Sequence, residues 1–145
     1  MMNRITRAAI ASAALAVLAI GGGTVAASAA PAIPVNNGQE TTGAVGGAHG
    51  KFSYTIDGDQ FCYTLWVTGL TGGAVAAHVH LAPQGVAGPV KIPLVVPNET
   101  SFSVAACTTV SDAALLAGIQ ATPRAYYVNV HTPMYPGGEV RGQLK

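Results

Sequence analysis

Between residues 51 and 68 apolar and polar side chains alternate with few interruptions, and this period of two most narrows the folds open to the chain. In "KFSYTI" the residues Phe52, Tyr54 and Ile56 alternate with Lys51, Ser53 and Thr55. In "QFCYTLWVTGL" Phe61, Tyr63, Leu65 and Val67 share one side, and Cys62, Thr64, Trp66 and Thr68 the other. A helix repeats every 3.6 residues, so such spacing belongs to half-buried strands. "DGD" (57–59) and "TGG" (71–73) supply turns between them. The pattern continues in "AVAAHVHLA", "VKIPLVV", "TSFSVAA", "AYYVNVHT" and "EVRGQLK", with the loops "APQGVAGP" and "PMYPGG" between. Pro93 lacks a ladder donor, which predicts an edge strand or a bulge there. One stretch departs: "SDAALLAGIQATP" reads as a short helix with Ser111 as N-cap, Asp112 in the first turn and Pro123 past its end. Seven or so short strands with frequent turns predict an all-β chain, an antiparallel Greek-key β-sandwich or barrel with one short helix.

The 145 residues suffice for one such domain, and the first 29 read differently from the rest. Arg4 and Arg7 precede an apolar run from Ala8 to Ile20, and Ala27-Ser28-Ala29 offers an A-x-A cleavage site. Residues 1–29 are therefore expected to be a secretory signal peptide cleaved near Ala29/Ala30. The run is shorter than the about 20 residues that span a bilayer, so no membrane span is expected in the mature protein. Residues 30–46, rich in Pro, Gly, Asn and Thr, are expected to be irregular, and 47–145 to form the β-domain. Without the leader, Lys51, Lys91, Arg124, Arg141 and Lys145 face six acidic residues, a net charge of about −1. That excludes the cationic footprint that nucleic-acid binding needs. Cys62 and Cys107 lie in apolar, strand-like surroundings without C-x-x-C spacing, so a disulfide is favoured over a thiolate metal site.

The chain has four histidines, and alternation tells where three of them point. In "AAHVHLA" the residues Ala77, Val79 and Leu81 form one side, and His78 and His80 the other. In "AYYVNVHT" Tyr126, Val128 and Val130 oppose Tyr127, Asn129 and His131; in "GGEVRGQLK" Val140 and Leu144 oppose Glu139, Arg141 and Gln143. If these strands are neighbours, one polar face carries His78, His80, His131, Asn129, Glu139 and Arg141. On a wet outer face Glu139 and Arg141 would be an exposed ion pair contributing under about 1 kcal/mol. His49 follows two glycines and is expected to be exposed, and Trp66 and the tyrosines to pack in or around the core.

The segments "CYTLWVTGL", "AAHVHLAPQGVAGPVKIPL" and "AYYVNVHTPMYPGGEVRGQL" together resemble the CHRD domain, the repeated module of the animal protein chordin that also occurs alone in exported microbial proteins. The resemblance covers about residues 50–144. It implies a β-sandwich module outside the cell; in chordin, the protein binds growth factors of the bone morphogenetic type. The "HVH" segment is also similar to a copper-ligand segment of the copper/zinc superoxide dismutases. Too few histidines remain for a second, zinc site, so dismutase activity is not expected.

Imidazole is a good ligand for Cu(II) and Zn(II), and copper stands highest among the divalent ions. His78, His80 and His131 are the candidate ligands of one copper or zinc ion, with copper favoured, and Met134 offers an extra thioether. Asn129, Glu139 and Arg141 are the candidate outer partners. A shared ion needs the ring nitrogens to converge within about 6 Å. Three readings stay open. The favoured one is a secreted binding module that holds the ion. The second is an extracellular or cell-surface protein-interaction module whose histidines only hydrogen-bond. The third is a mononuclear copper redox enzyme. Binding is favoured over turnover because no nucleophile motif and no second reacting group accompanies the histidines.

Overall fold

The computed structural model describes residues 31–145, and the expected leader lies outside them. Eight strands form one antiparallel sheet: β1 (Ile33–Asn36), β2 (His49–Asp57), β3 (Gln60–Thr68), β4 (Ala76–Leu81), β5 (Val90–Leu94), β6 (Phe102–Thr109), β7 (Tyr126–His131) and β8 (Val140–Gln143). Among the described residues the one α-helix, α1 (Ala113–Ala121), lies between β6 and β7. The order across the sheet is β5-β4-β7-β8-β1-β2-β3-β6. The β2–β3, β4–β5 and β7–β8 pairs are hairpins, whereas the β3–β4 and β6–β7 connections join strands that are not neighbours. The sheet rolls into a nearly closed barrel.

Alternation explains the strands. β2 and β3 pair in register from His49↔Thr68 to Asp57↔Gln60, closed by a two-residue turn in which Gly58 takes φ 58°, a conformation that favours glycine. Phe52, Phe61, Leu65 and Val67 enter the core from this half; Val79, Val128, Val130, Val140 and Ile92 enter from the other. Each such side chain contributes about 1.5–3 kcal/mol by leaving water. α1 adds Leu116 and Ile119. Its N-cap is Asp112, not Ser111: Asp112 has extended backbone and its carboxylate accepts the Leu115 N–H at 3.0 Å, so helical geometry begins at Ala113. As Pro93 predicts, β5 is an edge strand. The Tyr63 hydroxyl accepts from Val95 N at 2.7 Å and donates to Val95 O at 3.1 Å, tying the chain beyond β5 back to β3.

Two expectations fail here. The stretch 30–46 is not wholly irregular: Ile33–Asn36 forms β1, pairing with β2 (Ile33↔Phe52) and with β8 (Asn36↔Arg141). Four residues containing Pro34 carry little strand signal of their own; burial of Ile33 and Val35, with pairing along the nine-residue β2, supplies what propensity lacks. Trp66 does not pack in the core. It lies on the outer side of β3, 40% exposed, with the exposed His49 ring edge-on at 5.8 Å. Cys62 and Cys107 are directly paired residues of β3 and β6 and form a disulfide across that same outer side.

Candidate metal centre

The strands that carry the histidines are neighbours. β7 lies between β4 and β8, with His78↔Asn129, Ala76↔His131 and His80↔Tyr127 on one side and Asn129↔Arg141 on the other. Side chains of one register row share a face, so His78, His80, Tyr127, Asn129, His131 and Arg141 occupy a single surface. Alternation predicts that this surface is wet. The structure buries most of it: every residue of β7 is buried, on both sides of the sheet, and so is His80, while His78 is half-buried. The loops 82–89 and 132–139 fold back over the strands, and Asn37 joins this cover by donating to Glu139 O at 2.8 Å.

Backbone carbonyls of those loops orient two of the rings. The Nδ1–H of His80 donates to Gly88 O at 2.8 Å and that of His131 to Pro136 O at 2.9 Å. A carbonyl can only accept, so each neutral ring keeps its lone pair on Nε2. His131 Nε2 lies 2.9 Å from His78 Nδ1, which supplies the proton of that bond. His80 Nε2 is buried and has no hydrogen-bond partner. One nitrogen from each of the three rings lies within 4.8 Å of the others, inside the 6 Å that a shared ion requires. Tetrahedral zinc at about 2.0–2.1 Å would set its nitrogens roughly 3.3 Å apart, between the 2.9 Å that separates His78 Nδ1 from His131 Nε2 and the 4.8 Å that bounds the cluster.

Burial dominates the protonation of these rings. It lowers the pKa of all three below the ordinary imidazole value; His78 falls to about 4, with His131 and His80 adding to the effect. The rings are thus neutral at pH 7, the state a metal needs.

The other residues singled out in the sequence separate into those that serve this cluster and those that do not. Arg141, 1% exposed, donates to Val86 O at 2.8 Å and Pro83 O at 2.9 Å and lies 3.4 Å from the centroid of the Tyr127 ring. Tyr127 stacks on His80 with centroids 4.8 Å apart, and its hydroxyl accepts the Gly88 N–H at 3.1 Å. Arg141 therefore anchors the loop whose carbonyl orients His80, and its charge adds to burial in lowering the His80 pKa. Glu139 is no partner of the histidines and no half of a surface ion pair. It is fully buried and accepts from Thr71 N at 2.8 Å, Thr71 Oγ1 at 3.0 Å and Thr132 Oγ1 at 2.6 Å, joining the β7–β8 loop to the β3–β4 loop. Met134 is 68% exposed on that loop. Asn129, 1% exposed, donates to Gly137 O at 3.3 Å, while its Oδ1 has no partner.

Sequence reasoning misses Tyr127, Gly88 and Glu40. A Cβ on Gly88 would run into Leu81 O, so only glycine brings the Gly88 carbonyl to His80. Glu40 Oε1 is buried without a partner; burial outweighs the neighbouring Arg141 charge and raises the Glu40 pKa. Alternation places Tyr127 on the face of Asn129 and His131 without giving it a role, and the loop glycines after "HVHLA" are the signal for Gly88.

A family model, the CHRD domain, matches residues 26–144. The chain belongs to the CHRD-domain family. The match extends upstream of the resembling segments and takes in β1, consistent with its place between β8 and β2. No curated protein and no solved structure matches the chain. CHRD domains are extracellular binding modules, and the Cys62–Cys107 disulfide is compatible with an oxidising compartment. Among the described residues no helix is long and apolar enough to cross a membrane.

Proposed function

We propose that this CHRD domain is a secreted binding module that holds one transition-metal ion, copper in preference to zinc, on His78, His80 and His131. The observation that carries this reading is the convergence of three neutral imidazoles, two of them oriented by loop carbonyls, with the Nε2 of His80 buried and unpartnered. An orphaned buried acceptor costs about 1–3 kcal/mol, which an ion at the centre of the cluster would relieve. Preference for copper follows from the divalent affinity order with an imidazole donor set. Orienting ring N–H groups by backbone carbonyls is the usual support of metal-ligating histidines. The exposed thioether of Met134 is left outside the ligand set. The bound ion would tie the loops 82–89 and 132–139 to the sheet, shaping the surface offered to an extracellular protein.

Calorimetric titration of the protein with Cu(II) and with Zn(II) tests this reading. Binding of one equivalent, tighter for Cu(II) and abolished in the His78→Ala/His131→Ala double variant, is the expected result. Absence of binding, or binding that survives the double substitution, would return the histidines to hydrogen bonding alone.

A further inference from the structure

We infer that the same ion takes its fourth protein ligand from the carboxamide oxygen of Asn129, so that the centre is filled from within the protein; this rests on the metal reading above. Asn129 stands in the middle of the cluster. It faces His78 directly across the β4–β7 ladder, is diagonal to His80, and lies two residues from His131 on the same face of β7. Its side chain is 1% exposed. Its amide nitrogen is turned toward the Gly137–Gly138 loop, where it donates to Gly137 O and would collide with any Cβ placed on Gly138. With the nitrogen so used, Oδ1 is an acceptor and has no partner. His80 Nε2 is also an acceptor with no partner. Two orphaned lone pairs, buried on one face within a diagonal register step, call for an electron-pair acceptor between them. Each would gain from an ion, and with the His80 ring neutral neither can satisfy the other.

Among the described residues, buried side-chain polar atoms without partners are otherwise sparse. The remaining three are Glu40 Oε1, Asn37 Oδ1 and Arg141 Nε. None is a neutral donor next to a histidine in the ladder. Gly138, at φ 128°, leaves the space that Asn129 and Glu40 occupy, so the carboxamide is held from behind.

Three imidazole nitrogens and one oxygen make a four-coordinate set with no position reserved for solvent. Closed sets of this kind are the mark of structural centres, whereas catalytic ones keep a position open to water or substrate. The ion therefore acts as a staple between β4, β7 and their loops, and the redox-enzyme reading loses its substrate position.

The test uses the whole protein loaded with one equivalent of Cu(II), read by water-proton relaxation and by azide titration of the visible and near-ultraviolet spectrum. The wild type is expected to show no exchangeable water on the ion and no azide charge-transfer band. Asn129→Ala is expected to gain both and to lose Cu(II) affinity about tenfold. Asn129→Asp, which restores an oxygen donor, is expected to lose both signals again. A wild-type centre that binds azide or carries exchangeable water overturns the fourth-ligand assignment and leaves the three-histidine site standing. An Asn129→Ala variant with unchanged affinity and no new water does the same. Failure of the wild type to take up Cu(II) at all removes the metal reading and this inference together.

Discussion

The two halves of the barrel treat their outer faces in opposite ways. On the β2–β3–β6 side, buried residues alternate with exposed or half-buried ones, and the outward row of Ser53, Thr64 and Ala105, with Trp66 beside it, meets water. On the β4–β7–β8 side, loops cover the outward row, and His80, Asn129, His131 and Arg141 are as buried as the core beneath them. The first half needs only a hydrophobic inner face and one disulfide. The second surrounds its polar groups with backbone carbonyls, a stacked tyrosine and a buried arginine. Polar residues kept from water at such cost imply a use beyond solubility, because apolar residues would cover a sheet more stably.

Substitutions in the two halves are expected to differ in cost. The largest effect is expected from the disulfide: Cys62→Ala/Cys107→Ala opens a bridge over a sequence separation of 45 and should cost about 4 kcal/mol by the chain-entropy argument. Urea unfolding of the oxidised wild type and the double variant measures it. A smaller but more local loss is expected from Arg141→Ala. It leaves Val86 O and Pro83 O without their donor and a gap over Tyr127, for about 3 kcal/mol. Hydrogen exchange should show the loss of protection concentrated in residues 82–89. An Arg141→Ala change that costs no more than an exposed substitution would break the comparison at its strongest point.

A third effect depends on pH. The folded pKa values of His78, His80 and His131 lie below 6.5, their unfolded value. Unfolding is therefore accompanied by proton uptake once the pH drops under 6.5. Stability from the neutral rings is fully present above that pH and is lost as the pH falls toward about 4, where His78 itself titrates. Chelator-treated wild type should lose more of its urea midpoint between pH 7 and pH 4.5 than the His78→Gln variant does. The difference between the two cancels the contribution of Glu40, whose raised pKa acts in the opposite direction. Equal losses would show that His78 is not held neutral by burial. At the bottom of the scale, Thr64→Ala on the wet face should change stability by no more than about 0.5 kcal/mol.

Much of this architecture was legible in the sequence, though unevenly. The alternation in residues 51–68 set the inner face of β2 and β3 correctly, because both strands are long and wet on one side. The same rule applied to "AYYVNVHT" put Tyr127, Asn129 and His131 on one face, which is right, but assigned that face to solvent, which is not. A period of two tells only which residues share a face. What lies over that face is decided by loops such as "TPMYPGG", whose backbone groups carry no periodic signal. β1 escaped for a related reason: four residues with a proline are held by their partners, not by their own propensity. The role of Glu139 is not legible because its donors, Thr71 and Thr132, come from loops distant in sequence or outside the strand pattern.

The central claim is that the covered face is a metal centre of three imidazoles, and electron paramagnetic resonance of the protein with one equivalent of Cu(II) tests it most directly. The expected spectrum is one species with superhyperfine splitting from three nitrogens, losing one nitrogen in His80→Ala. A spectrum of oxygen-coordinated or heterogeneous copper, unchanged by His80→Ala, would contradict it.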